Sequence, residues 1–229
     1  MKFTANTAGS TIALSNYGGN TPDIKYSRDG INWTQWNYSA ITLTNAGDYV
    51  YMKGDNSQCF SSSVSKYSQF VMTGSIAGSG NIMSLIDDGA CQTLTIPSSY
   101  CYLMLFRHCS SLTSAPELPA TTLADYCYSS MFYRCSGLTS APELPATILS
   151  NYCYNAMFSN CSSLTSAPEL SATTLADRCY SSMFYECSSL TSAPELSATT
   201  LASGCYSSMF YGCSSLTSAP ELSATTLAT

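Results

Sequence analysis

The chain has 229 residues, of which 45% are hydrophobic and 10% are charged, and this composition argues against global disorder. The charge is uneven. Residues 1–109 carry six acidic and six basic side chains, whereas residues 110–229 carry eight acidic and two basic ones, Arg134 and Arg178. A C-terminal half with six more acidic than basic groups is a poor binder of nucleic acid and is repelled by anionic membrane surfaces.

No run of about 18 apolar residues occurs, so we expect no transmembrane helix and no membrane insertion. The N-terminus, MKFTANTAGSTIALSNYGG, lacks a long apolar stretch, and we expect no signal peptide in this chain. A protein that leaves the cell by another route, or a virion component released by lysis, would need no signal.

Residues 1–80 show the alternation of apolar and polar residues that is typical of β-strands. The candidate strands are the segments STIALS, DIKYS, AITLT, DYVYMK and QFVMTG. We therefore predict a small antiparallel β-sandwich, the head, with Trp33 or Trp36 in its core. Asp29-Gly30 predicts a two-residue hairpin turn, and the surrounding YSRDGINW also resembles an Asp-box. The stretch GSIAGSGN at 74–81 is either a flexible linker or the point where the head packs onto the next domain.

Residues 81–229 form the second predicted domain, because they repeat with a period of 26 residues. The copies are a degenerate one at 84–109, full ones at 110–135, 136–161, 162–187 and 188–213, and a partial one at 214–229. Each has a short apolar segment, LTSAPEL in the first full copy. A segment with apolar residues four apart follows, here Leu123, Cys127, Met131 and Cys135, which predicts a helix. The predicted fold class is thus β-rich α+β, a β-sandwich head followed by a right-handed solenoid of strand-plus-helix units.

The motif MF-x-x-C-x-x-LTS-A-x-x-LP resembles the pattern AF-x-x-C-x-x-LTS-V-x-IP of the BspA-like leucine-rich repeats. The matching residues in one copy are Met131, Phe132, Cys135, Leu138, Thr139, Ser140, Ala141, Leu144 and Pro145. The period is longer than is typical of that family, and a proline interrupts each strand segment, so we expect very short strands. The resemblance implies a bacterial surface protein that binds other proteins.

Ten of the twelve cysteines form two ladders with the period of the repeat. They are Cys101, Cys127, Cys153, Cys179 and Cys205, and Cys109, Cys135, Cys161, Cys187 and Cys213. Partners eight apart on a helix would be about 12 Å apart, too far for a disulfide, and five-membered ladders leave one thiol over. We expect buried, reduced thiols, with some disulfides between neighbouring copies as the alternative. Cys59 and Cys91 lie outside the ladders, and a bridge between them is possible.

Candidate binding residues occur on both segments of the repeat. On the strand segment, Glu117, Glu143, Glu169, Glu195 and Glu221 form either a solvated acidic stripe or a surface for a cationic partner or Ca²⁺. On the other segment, the copies differ at Asp125, Tyr126, Tyr133 and Arg134 and their equivalents, which we expect to face solvent. The candidates there are Tyr126, Tyr133, Arg134, Arg178, Tyr185 and Tyr211.

The sequence contains no recognisable set of catalytic residues. The single histidine, His108, supports no catalytic triad, and identical glutamates give no separation into acid and base. The C-x7-C spacing is not a zinc spacing, and no phosphate-binding glycine loop occurs. We expect a chain without enzymatic activity, cofactor or metal.

We therefore expect a binding or adhesion module at a cell surface, outside the cell or in a phage virion, which recognises a protein or a surface glycan. The alternative is a structural spacer or fibre component. The chain stops inside a repeat at Thr229 without a polar cap, so we also expect self-association through apolar groups such as Leu222 and Leu227.

Overall fold

The computed structural model describes residues 1–226, which contain nine β-strands and a single turn of 3₁₀ helix, Ile82–Leu85. Leu227 and Thr229 lie outside the described residues. The strands are β1 Lys2–Ala5, β2 Ser10–Asn16, β3 Lys25–Ser27, β4 Thr34–Gln35, β5 Ile41–Leu43, β6 Tyr49–Lys53, β7 Ser68–Thr73, β8 Ile76–Ser79 and β9 Leu112–Ser114.

Two sheets form the head, and the larger one also includes β9 from the first full repeat. The larger has the order β4-β3-β6-β1-β8-β9 and the smaller the order β5-β2-β7. All pairings are antiparallel except β8 with β9. Alternate residues of β1, β2, β5, β6 and β7 point into the core, and Phe3 of β1 meets Phe70 of β7 with ring centroids 5.2 Å apart. Of the two tryptophans, Trp36 is the buried one.

The predicted two-residue turn at Asp29-Gly30 is wrong, because the loop between β3 and β4 spans residues 28–33. The Asp29 carboxylate accepts hydrogen bonds from the backbone N–H groups of Ile31 and Asn32, both at 2.8 Å. These bonds, with one from the Ser27 hydroxyl, hold the pKa of Asp29 well below its usual range, the Asn32 side-chain bond being the largest cause. The side chain thus organises a longer loop by satisfying its backbone donors.

The predicted fold class is wrong in its repeats. Residues 1–226 contain no α-helix, and the structure is therefore not a solenoid of strand-plus-helix units. The segment predicted to be helical, residues 124–135 and its equivalents, consists of overlapping turns, and we call it the turn segment. Of the strand segments, only Leu112–Ser114 forms a strand, whereas the segments from 164 onwards make isolated bridges such as Ser166 with Ser192.

Backbone hydrogen bonds in the turn segment alternate between two destinations. The N–H groups of odd-numbered residues close local turns, as Met131 does to the carbonyl of Tyr128 at 3.1 Å. Those of even-numbered residues donate to the following repeat, as Tyr128 does to the carbonyl of Cys153 at 3.0 Å. Each copy from 84–109 to 162–187 donates five such bonds to the next, and the repeats consequently stack one on another.

This arrangement puts every fourth residue of the turn segment in the left-handed region. In one copy these are Tyr126, Ser130 and Arg134, with φ of 56°, 52° and 59°. A four-residue conformational period places side chains four apart on one side, and therefore it imitates the pattern of a helix. The helix prediction was wrong for this reason.

Two aromatic ladders fill the interior of the stack. The rings of Tyr102, Tyr128 and Tyr154 are buried with neighbouring centroids 5.8 Å apart. A parallel ladder runs from Phe106 through Phe132 to Phe158, at 5.4 and 5.6 Å. Both ladders continue to the copy at 188–213, where Tyr206 and Phe210 are the last rungs.

The head occupies the place of a preceding repeat. Phe60 stacks on Tyr102 at 6.3 Å, and Phe70 stacks on Phe106 at 5.2 Å, so that both ladders begin in the head. Its backbone also supplies donors: the Ser61 N–H donates to the carbonyl of Cys101 at 2.9 Å. Strand β8 lies within the stretch 74–81 and pairs with β9, and this stretch is therefore not a flexible linker.

The left-handed positions provide a first prediction. Glu186 is exposed at φ 58°, where a side chain costs roughly 1–2 kcal/mol that glycine avoids. Glu186→Gly should therefore raise the free energy of unfolding in urea by about 0.5–1 kcal/mol, after the entropy cost of glycine. Glu195 is also exposed but has no positive φ, and Glu195→Gly should lower it. Equal effects of the two changes would contradict the turn geometry.

The tyrosine ladder provides a second prediction. The buried Tyr128 hydroxyl has no hydrogen-bond partner, whereas the Tyr102 hydroxyl donates to the carbonyl of Ile82 at 3.2 Å. An unsatisfied buried hydroxyl is costly, and a satisfied one contributes about 1 kcal/mol. Tyr128→Phe should leave the unfolding free energy unchanged or raise it, while Tyr102→Phe should lower it by about 1 kcal/mol. The reverse order in chemical denaturation would show that the Tyr128 hydroxyl is satisfied.

Candidate functional site

One exposed glutamate per repeat lies on the outer edge formed by the strand segments. This glutamate row consists of Glu117, Glu143, Glu169, Glu195 and Glu221. Within residues 1–226 the two ion pairs both join the head to the degenerate copy 84–109, where Lys25 and Lys53 contact Asp88. The row therefore has no cation from its own chain among the described residues, and its charge is available to a partner.

Shallow grooves lie between the first three members of the row. The first has a volume of about 350 Å³ and is lined by Pro116, Leu118 and Pro142 together with Glu117 and Glu143. The second, of about 410 Å³, continues into the next repeat. Its lining includes Leu144, Pro145, Pro168, Glu143 and Glu169. Prolines in the strand segments thus create apolar surface next to the carboxylates, which the sequence alone did not reveal.

Stacked tyrosines form a row on the turn side. Tyr126 lies between Tyr100 and Tyr152, with centroids 4.9 and 4.5 Å apart and planes within 12°. The Arg178 guanidinium follows, 5.8 Å from the Tyr152 centroid. Tyr100 was missed in the sequence, although it stands 26 residues before Tyr126. Because the rings cover one another's faces, this tyrosine row offers edges and hydroxyls to solvent.

A second row of aromatic residues on the turn side, at the position of Tyr133, is interrupted by a serine in one copy. The Tyr133 ring lies beside His108, at 5.7 Å, and between the guanidinium groups of Arg107 and Arg134, at 5.4 and 5.3 Å. The next copy has the buried Ser159 here, contrary to the expected solvent exposure. Tyr185 and Tyr211 then stack at 4.9 Å, and Tyr211 is 62% exposed. The structure therefore does not join these tyrosines into one continuous surface.

The variable position that begins with Asp125 serves the stack. The Asp125 carboxylate accepts a hydrogen bond from the N–H of Asn151 at 3.0 Å, and the Asn151 side chain accepts one from the N–H of Asp177 at 3.1 Å. Asp177 does the same for Ser203. Aspartate and asparagine alternate here because either provides the acceptor, so this variation needs no partner to explain it.

All twelve cysteines are free thiols, and the ten ladder thiols are buried. In the second ladder each sulfur donates to the carbonyl of a phenylalanine one repeat earlier, as Cys135 does to Phe106 at 3.0 Å. Cys109 makes the same bond to Phe70 of the head, at 3.1 Å. Burial raises the pKa of Cys109, Cys127, Cys179 and Cys187 to about 12.

These raised pKa values predict alkaline unfolding. The four thiols have an ordinary pKa of 9.0 when unfolded and about 12 when folded, so their stabilisation is complete below pH 9 and is lost as the pH rises towards 12. Each group contributes roughly 1.4 kcal/mol per pH unit in that window. Urea denaturation under reducing conditions should show stability falling steeply above about pH 9. Cys109→Ala should make the fall shallower than in the parent chain. A flat profile would contradict the burial of these thiols.

Within residues 1–226, no group of three metal-binding side chains lies close enough to hold an ion, and no helix is long and apolar enough to cross a membrane. His108, the single histidine, is exposed, and Arg107 and Arg134 contribute to a lowered pKa after the larger effect of desolvation. No family model, curated protein or solved structure matches this chain.

Proposed function

We propose that the chain is a non-catalytic binding or adhesion module that recognises an extended, cationic segment of a partner protein along the glutamate row. The observation that carries the proposal is the alternation of exposed carboxylates with proline-lined grooves between the first three glutamates of the row. A chain with lysine or arginine at intervals and apolar residues between them matches this edge in both respects.

Electrostatics support a cationic partner. Rungs of the stack are 5.4–5.9 Å apart in the buried ladders, and two like charges at that spacing repel each other by roughly 0.8 kcal/mol in water before screening. A bound cation between two carboxylates would relieve this repulsion. Association should therefore be faster and tighter at low ionic strength.

The turn side supports glycan recognition less well. Sugars stack on open aromatic faces, and the faces in the tyrosine row are covered by neighbouring rings at 4.5–4.9 Å. Tyr211, at 62% exposure, offers the most open ring of the turn side. Within the proposal, a glycan is therefore the secondary ligand class.

A structural spacer is the alternative function. It is favoured by the continuity of the interior, in which one ladder runs from Phe70 to Phe210. Such a protein needs only its internal contacts, and a spacer would bind no ligand and would tolerate removal of one complete copy, residues 162–187. Exposure at a cell surface or in a virion fits either function.

Binding to a defined peptide tests the proposal. A fluorescein-labelled peptide of alternating lysine and leucine, titrated at low salt, should bind the full chain with a rise in anisotropy. Glu143→Gln and Glu169→Gln should each weaken binding by about fourfold, the equivalent of roughly 0.8 kcal/mol, and the double variant by more than tenfold.

Glu186→Gln is the matched control, because it removes one exposed carboxylate on the turn side. It should leave the affinity almost unchanged. A loss equal to that of Glu169→Gln would show that binding depends on net charge and not on the glutamate row. Binding of a neutral glycan with an affinity that none of these variants changes would indicate that the partner is a glycan and not a protein. Absence of binding to both probes would leave the spacer as the function.

A further inference from the structure

Cys59 occupies the first position of a cysteine ladder and not a place outside both ladders. The head segment Cys59-Phe60-Ser61-Ser62 has nearly the same sequence as Cys127-Tyr128-Ser129-Ser130 in the repeats. Because Phe60 stacks on Tyr102, Cys59 comes to lie beside Cys101. The bridge considered between Cys59 and Cys91 is therefore not supported, and the neighbour of Cys59 is the buried Cys101.

The two cysteines are held side by side by the surrounding backbone. They directly precede the stacked rings of Phe60 and Tyr102, and the Cys59 sulfur approaches the carbonyl of Ser99 at 3.8 Å. The Ser61 N–H donates to the carbonyl of Cys101 at 2.9 Å, and the Ser98 hydroxyl donates to the carbonyl of Gln58. Hydrogen bonds thus hold the segments 58–61 and 98–101 together on both sides of the two cysteines.

We propose that Cys59 and Cys101 form a redox-active dithiol that reacts with low-molecular-weight disulfides and closes to a disulfide bridge between the head and the first repeat. Cys59 is half-buried and accessible, whereas Cys101 is fully buried behind it. This is the arrangement of an attacking thiol with a resolving thiol.

The ionisation of the two groups fits these roles. Interaction with the Cys101 side chain is the largest cause that lowers the pKa of Cys59 to about 7, and the nearby Ser98 side chain and Ser61 backbone add to the shift, although desolvation opposes it. The same contact and burial raise the pKa of Cys101. Desolvation instead raises the pKa of Cys91, the other half-buried thiol outside the ladders. Thiolate is the nucleophile in exchange, and an attacking thiol is most effective when its pKa is near the ambient pH.

The reaction is a balanced thiol–disulfide exchange. The Cys59 thiolate attacks one sulfur of glutathione disulfide, the S–S bond of the reagent breaks, and one glutathione leaves as a thiolate. Cys101 then loses its proton to solvent and attacks the Cys59 sulfur, which forms the Cys59–Cys101 bond and releases the second glutathione. Two protein thiols are oxidised, and one disulfide is reduced to two thiols.

Mass spectrometry of the full chain tests the proposal. After incubation with glutathione disulfide at pH 7 and alkylation of the remaining thiols, the chain should have lost two hydrogen atoms, and peptide mapping should find a Cys59–Cys101 crosslink that dithiothreitol reverses. The initial rate should rise with pH around a midpoint near 7. A rate that rises only above pH 9, or a crosslink elsewhere, would overturn the proposal.

Three variants separate the roles. Cys59→Ser should abolish the reaction, and Cys101→Ser should stop it at a chain that carries one glutathione on Cys59. Cys91→Ser is the control and should change nothing. Faster modification of Cys91 than of Cys59 in the parent chain would contradict the assignment, and this comparison does not depend on how well the Cys101 variant folds.

The bridge should also stabilise the junction. It joins residues that are 42 positions apart in the sequence, and the loop-closure model then lowers the equilibrium constant of unfolding on the order of 10²–10³-fold. The oxidised chain should melt at a higher temperature than the reduced Cys59→Ser variant. A crosslinked chain with an unchanged or lower melting temperature would show that the bridge does not fasten the head to the first repeat.

Discussion

The structure depends on the backbone hydrogen bonds that cross from one turn segment to the next. Within a single copy, only every second N–H group of this segment finds a carbonyl, and the others must donate to the following repeat. A buried donor without an acceptor is costly, so a lone copy cannot be stable, and stacking is required by the backbone before any side chain is considered. The aromatic rings then fill the interior because successive copies are held 5.4–5.9 Å apart.

These crossing bonds give the stack a direction, and the head is built to match it. Donors point towards the C-terminal neighbour, which leaves the carbonyls of the first copy facing the head. The head satisfies them with the N–H groups of Ser61 and Phe70, and with the side-chain amide of Gln69, which donates to Arg107. A β-structure can thus cap repeats of a different conformation, because the interface needs only correctly placed donors and two aromatic rings, Phe60 and Phe70.

The sequence was informative about the repeat period and about the strands of the head, but not about the backbone conformation of the repeats. The 26-residue repeat identified which residues share an environment, and alternation located the head segments that became β2, β3 and β5 to β7. It could not separate a helix from overlapping turns, because both place Cys127 and Met131 on one side. Strand β8 has glycine in a short stretch, and its pairing with β9 is a tertiary effect. The likeness of Cys59-Phe60-Ser61-Ser62 to Cys127-Tyr128-Ser129-Ser130 was visible, but four residues carry little weight without a structure.

The backbone hydrogen bonds between turn segments also indicate which surface should be tested for binding. Variation on the turn side follows the backbone: Gly204 and Gly212 replace larger residues at positive φ, and Asp125 alternates with Asn151 as an acceptor. The strand side differs, because drift has changed the proline after Leu118 to serine in later copies while leaving the neighbouring glutamate in all five. These glutamates are exposed, and none of them makes an ion pair within residues 1–226. Folding therefore does not explain the glutamate row, whereas a cationic partner would.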